Sequence, residues 1–135
     1  MGEYLDDVTE SFHRCRRDVG FLDTFYDLFL ATSPEIAEMF ADTDFRMQKT
    51  MLRESLLMVL CFNLGMPGTQ DEVRRLGQRH RELGVKREHY DLWLDSLCQA
   101  LKHHDAHYTL DLDRRWRQAM QAAIDEMLNE DATPT

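Results

Sequence analysis

The chain has 135 residues, 43% hydrophobic and 30% charged, and its 25 acidic and 16 basic side chains leave a formal net charge of −9. This is the length and composition of one globular domain with room for a sizeable core. The acidic balance opposes the basic footprint that phosphate contacts require, which argues against a nucleic-acid partner.

The longest apolar run, Leu56 to Phe62, has seven residues, against roughly 20 for a membrane-spanning helix. The N-terminus is acidic, unlike the basic and apolar start of a signal peptide. A cytoplasmic location and no membrane partner are expected.

Six glycines and three prolines fall below the usual share of about 12%. Apolar residues recur at three- and four-residue spacing, so an all-α fold is predicted. A first helix is expected over 3–18, stopped by Gly20. A second carries Phe21, Leu22, Phe25, Leu28 and Phe29 as far as Ser33. Ser33 then reads as a cap with Pro34 at the first helical position, opening a short helix that ends near Phe40. Asp42-Thr43-Asp44 caps a long helix whose apolar face is Leu52, Leu56, Val59, Leu60 and Asn63, terminated by Gly65-Met66-Pro67-Gly68.

A helix over 70–83 places Val73, Leu76, His80 and Leu83 on one stripe before Gly84 closes it. The next, over 87–104, presents Tyr90, Trp93, Leu94, Leu97 and Leu101, and the last, Asp111 to Leu128, presents Trp116, Met120, Ala123 and Met127. Residues 1–128 therefore read as one domain and 129–135 as a polar, frayed tail.

Cys15, Cys61 and Cys98 are odd in number and lack metal-site spacing, so each reads as a reduced, buried small hydrophobe. No nucleophile elbow, phosphate loop or dinucleotide fingerprint is present. The three histidines of Lys102-His103-His104-Asp105-Ala106-His107 do not share one helical face, and they read as helix-end side chains rather than a metal site. His13 and His89 read as solvated, and the arginine pairs at 16–17, 74–75 and 114–115 as exposed helix faces. His80 is different, because it lies on an apolar stripe. Such a histidine is commonly a hydrogen-bonded core residue, while neutral imidazole is also a good ligand for iron.

Several linked segments resemble the globin family, in particular bacterial single-domain globins and the haem domain of flavohaemoglobins. They are Phe25-Tyr26, Pro34-Glu35-Ile36 with Met39-Phe40, Gln48-Lys49-Thr50-Met51-Leu52, Leu76-Gly77-Gln78-Arg79-His80, Gly84-Val85, Glu88-His89-Tyr90 and Trp116. The resemblance implies a globin fold of about six to eight helices around haem b, with His80 as the iron ligand. It further implies Tyr26 and Gln48 as distal polar groups, Leu52, Leu76 and Val85 as pocket residues, Phe40 packed on the porphyrin and Tyr90 orienting His80. The segment between Phe40 and Gln48 is shorter than in flavohaemoglobins, a register that leaves Lys49 or Met51 as alternatives to Gln48. The usual carboxylate from the last helix has no clear match, since Glu126 and Glu130 are out of register. Arg46 and Arg79 are candidates to pair with propionates. Simple core packing accounts equally for Phe25, Phe29, Phe40, Leu56 and Trp93.

The function so implied is reversible binding of a diatomic gas: oxygen, nitric oxide or carbon monoxide. The alternatives are a nitric oxide dioxygenase or peroxidase-like enzyme fed by an external reductase, and a sensor or interaction module without haem. Pairing of two copies through the last two helices stays open.

Overall fold

A computed structural model describes residues 3–129 and contains seven α-helices among them. They are α1 (Glu3–Arg16), α2 (Phe21–Leu30), α3 (Pro34–Met39), α4 (Phe45–Asn63), α5 (Thr69–Glu82), α6 (Arg87–His104) and α7 (Leu110–Leu128). Of the expected tail, Asn129 follows α7, and residues 130–135 lie outside the described residues. No helix among the described residues is long and apolar enough to cross a membrane.

Local chemistry sets the boundaries. The Ser33 side chain accepts from the Glu35 amide at 3.2 Å, with Pro34 following at the first helical position. Asp44 accepts from the amides of Arg46 and Met47 at the start of α4. Thr109 accepts from the Leu112 amide and starts α7 at Leu110, one residue before the expected Asp111. At the end of α5, Gly84 adopts φ +84°. The amides of Gly84 and Val85 then return to the carbonyls of Arg81 and His80 at 3.0 and 2.9 Å. This closes a left-handed helix stop that satisfies two otherwise unpaired carbonyls and fixes the turn bearing His80.

The helices pack with α2 against α6, α5 against α7, and α1 against α7. Trp116, Phe25, Leu97, Leu101 and Met120 are fully buried at the centre, each contributing roughly 1.5–3 kcal/mol relative to exposure. The α5–α7 contact is tight enough to dictate a residue. A Cβ added at Gly77 would lie 2.4 Å from the Met127 carbonyl oxygen, with no room for it. Two bonds tie the same pair of helices together: Arg74 to Glu126 at 2.6 Å and Arg81 to the Met127 carbonyl at 2.7 Å.

Two readings of the apolar pattern need correction. Leu83 is 60% exposed, because α5 ends at Glu82 and Leu83 is its capping residue beside Gly84. Cys61 is half-buried on the last turn of α4, whereas Cys15 and Cys98 are buried; all three thiols are free. Asn63 holds its interior position by donating to the carbonyls of Val59 and Ala119.

Candidate functional site

Two clusters face the interior from different helices. The first is aromatic and centres on Tyr26, which α2 buries beside Phe25. Its ring meets Phe25, Phe45 and Phe40 edge-on at 4.9, 5.4 and 6.0 Å between centroids. Burial pushes the Tyr26 phenol up to about 12, and a hydrogen bond with Gln48 works in the opposite direction. The phenol is therefore protonated at neutral pH. Of the alternatives to Gln48, Lys49 is engaged in an ion pair with Asp23, and Met51 is 49% exposed. Leu52 is buried one turn beyond Gln48.

The second cluster centres on His80 in the last turn of α5. Its Nδ1 lies 3.1 Å from the Tyr90 hydroxyl, and its Nε2 has no hydrogen-bond partner among the described residues. Burial, and secondarily the Arg79 charge, hold the imidazole below its ordinary value of 6.5, so it is neutral at pH 7. Burial pushes the Tyr90 phenol up to about 12. Leu76 and Val85, both half-buried, pack against the core on either side of His80 in sequence, and Phe40 does so near Tyr26.

Tyr26, Phe40 and Gln48 thus come together, as do His80 and Tyr90. Phe45 was missed, although it precedes Gln48 and Leu52 by three and seven positions and so shares their helix face. His89 was misread as solvated. It is buried, with Nδ1 accepting from the Lys86 amide at 2.9 Å and Nε2 facing Glu35 at 3.0 Å. Arg46 and Arg79 are exposed.

The histidine-rich end of α6 holds no group of three potential metal ligands among the described residues. His104 instead joins Thr24 and Asp18 at 2.6 and 2.7 Å. Asp105, the cap residue of α6, is buried and receives Ser11 at 2.5 Å and both Arg14 donors at 2.7 and 3.0 Å. A surface cavity of about 330 Å³ near Arg14, lined by Asp7, Glu10, His107 and Arg115 among others, is charged and well away from His80.

Residues 23–130 match the sequence model of the globin family. The chain belongs to the globin family. This globin is similar to a structure from Pseudomonas aeruginosa PAO1, the protein PA3967, described as structurally highly homologous to a human hemoglobin. The two share 37% identity over 92% of this chain and 95% of that one, with a TM-score of 0.87. No curated protein matches the chain.

Globins typically bind haem, and the donor chemistry around His80 fits that group. A neutral, half-buried imidazole offers one nitrogen without a partner, while its other nitrogen is already held. Glu126 does not reach this arrangement, because Arg74 engages it at 2.6 Å.

Proposed function

We propose that this globin holds haem b through His80 Nε2 and binds a diatomic gas reversibly. The reading rests on one observation: His80 is neutral, its Nδ1 is tied to Tyr90, and its Nε2 is unpaired in a half-buried setting. Bound there, haem would supply an iron able to take a nitrogen from His80 and to bind a small gas. Leu52, Leu76, Val85 and Phe40 contribute the apolar lining that excludes water from such a site.

The roles of the other residues follow from their protonation and contacts. Tyr90 fixes the ring plane of His80 and would accept from Nδ1–H when Nε2 holds iron. Tyr26, protonated and buried, is a hydroxyl donor for the polar end of a gas ligand, and Gln48 holds the phenol in place.

The state of Nδ1 favours binding over peroxidase-like chemistry. A carboxylate partner would raise the basicity of the ligating nitrogen, and a phenol does so less. Glu126, the carboxylate considered for this role, is paired with Arg74. The Tyr26–Gln48 pair also suits a second reading, a nitric oxide dioxygenase drawing electrons from an external reductase.

Flash photolysis and stopped-flow measurements on the ferrous haem-loaded protein test the first reading. Oxygen is expected to bind and leave without net oxidation over many cycles. Tyr26→Phe is expected to speed oxygen release by about tenfold, the worth of one hydrogen bond of about 1.4 kcal/mol, with carbon monoxide release little changed. Release rates identical in the two proteins would remove Tyr26 from the role. Rapid catalytic consumption of nitric oxide with an added reductant would favour the second reading.

A further inference from the structure

His89 ties α6 to α3 in a way that the reading of His80 does not by itself use. It is the third residue of α6, and its side chain is 5% exposed. Its Nδ1 accepts the Lys86 backbone N–H at 2.9 Å, so that nitrogen carries no proton. Its Nε2 stands 3.0 Å from a Glu35 carboxylate oxygen. An imidazole whose Nδ1 accepts carries its proton on Nε2, the nitrogen that faces the carboxylate. Glu35 lies in the first turn of α3, and Lys86 Nζ approaches the same carboxylate oxygen at 3.4 Å. One buried ring therefore caps α6 and bolts it to α3.

The residue after His89 is Tyr90, whose hydroxyl meets His80 Nδ1. A phenol on a buried, well-packed ring has little freedom of its own, so its hydroxyl goes where the first turn of α6 goes. We infer that His89 is a positioning residue: by clamping the first turn of α6 between the Lys86 amide and Glu35 of α3, it sets the Tyr90 hydroxyl against His80 Nδ1. This rests on reading His80 as the iron ligand, but the clamp itself exists in the protein without haem.

The test compares His89→Leu, His89→Gln and Glu35→Ala in the full chain. Glutamine preserves both contacts, because its carbonyl accepts from the amide and its NH2 donates to Glu35, as in a capping box. Two measurements are made: nitrogen-15 chemical shifts of the His80 ring in the protein without haem, and the iron–histidine stretching frequency of the ferrous haem-loaded protein.

His89→Leu is expected to shift both readouts to the values of Tyr90→Phe. His89→Gln should keep them at wild type, and Glu35→Ala should move them part of the way. Amide exchange at Lys86 should quicken by about tenfold in His89→Leu, as expected for a lost hydrogen bond. Faster exchange with unaltered His80 signals would overturn the proposal and leave His89 as a structural cap only. If His89→Leu does not fold, Glu35→Ala carries the test, because its site is on the surface; wild-type His80 shifts there would overturn the proposal. Failure to bind haem would refute the iron-ligand reading and leave the ring-shift comparison intact.

Discussion

The Tyr90 hydroxyl lies 3.1 Å from Nδ1 of His80, so the two side chains hold each other across the gap between α5 and α6. Burial keeps the phenol protonated and the imidazole neutral, and in that pairing the hydrogen bond fixes the ring plane. The consequence reaches the other side of the imidazole. With Nδ1 occupied, Nε2 is the nitrogen left for a metal.

Tyr90→Phe removes that bond while keeping the ring and its packing. The fold and the presence of haem are expected to persist. Haem loss to an acceptor protein should accelerate by a few-fold to about tenfold, the range corresponding to roughly 0.5–1.5 kcal/mol for one hydrogen bond. Time-resolved absorbance during haem transfer measures this directly. An unchanged rate would mean that the Tyr90 hydroxyl does not steady His80.

Without haem, His80 should make stability depend on pH. Burial, with Arg79 adding to it, depresses its pKa below the ordinary 6.5. Below that pH the unfolded chain takes up a proton that the folded chain resists, so stability falls as pH drops below 6.5 and levels off beneath the folded value. Urea unfolding between pH 5 and 7.5, compared with His80→Leu, isolates the effect as a difference in slope. Parallel profiles for the two proteins would contradict it.

Gly77→Ala is expected to destabilise the protein by about 1–3 kcal/mol, the usual range for overpacking. The new methyl would lie 2.4 Å from the Met127 carbonyl oxygen and 2.6 Å from its Cα, both backbone atoms that yield only if α5 and α7 move apart. His80 is one turn further along α5 and moves with it. Denaturant unfolding should show the loss, with weaker haem retention beside it. An unchanged midpoint would show that the α5–α7 contact is looser than it stands.

Much of the fold was legible in the sequence because helix ends carry local signals. Ser33-Pro34, Asp44 and the glycines at 65, 68 and 84 mark boundaries through their own backbone and side-chain chemistry, and the helices start and stop within a few residues of those marks. The apolar stripe of α5 likewise pointed to His80. What local pattern does not carry is the partner across a gap. Asp105 and His89 look like exposed helix-end residues in sequence. Only α1, crossing the end of α6, supplies Asp105 with Arg14 and Ser11, and only α3 supplies His89 with Glu35. Glu126 is the converse case, a carboxylate on the last helix whose position near α5 is settled by Arg74. Leu83 followed the stripe in sequence, yet the helix had already ended.

The most direct test of His80 as the iron ligand is a haem titration of the purified protein beside His80→Ala, followed by absorbance in the ferric, ferrous and carbon monoxide-bound states. The wild type is expected to take up haem in equal proportion and give a Soret band that moves on reduction and again with carbon monoxide. In His80→Ala the ferrous spectrum should change and be restored by added imidazole, which refills the vacated position. A wild-type protein that folds but yields no Soret band, or a variant with the same iron spectrum as the wild type, would contradict the assignment.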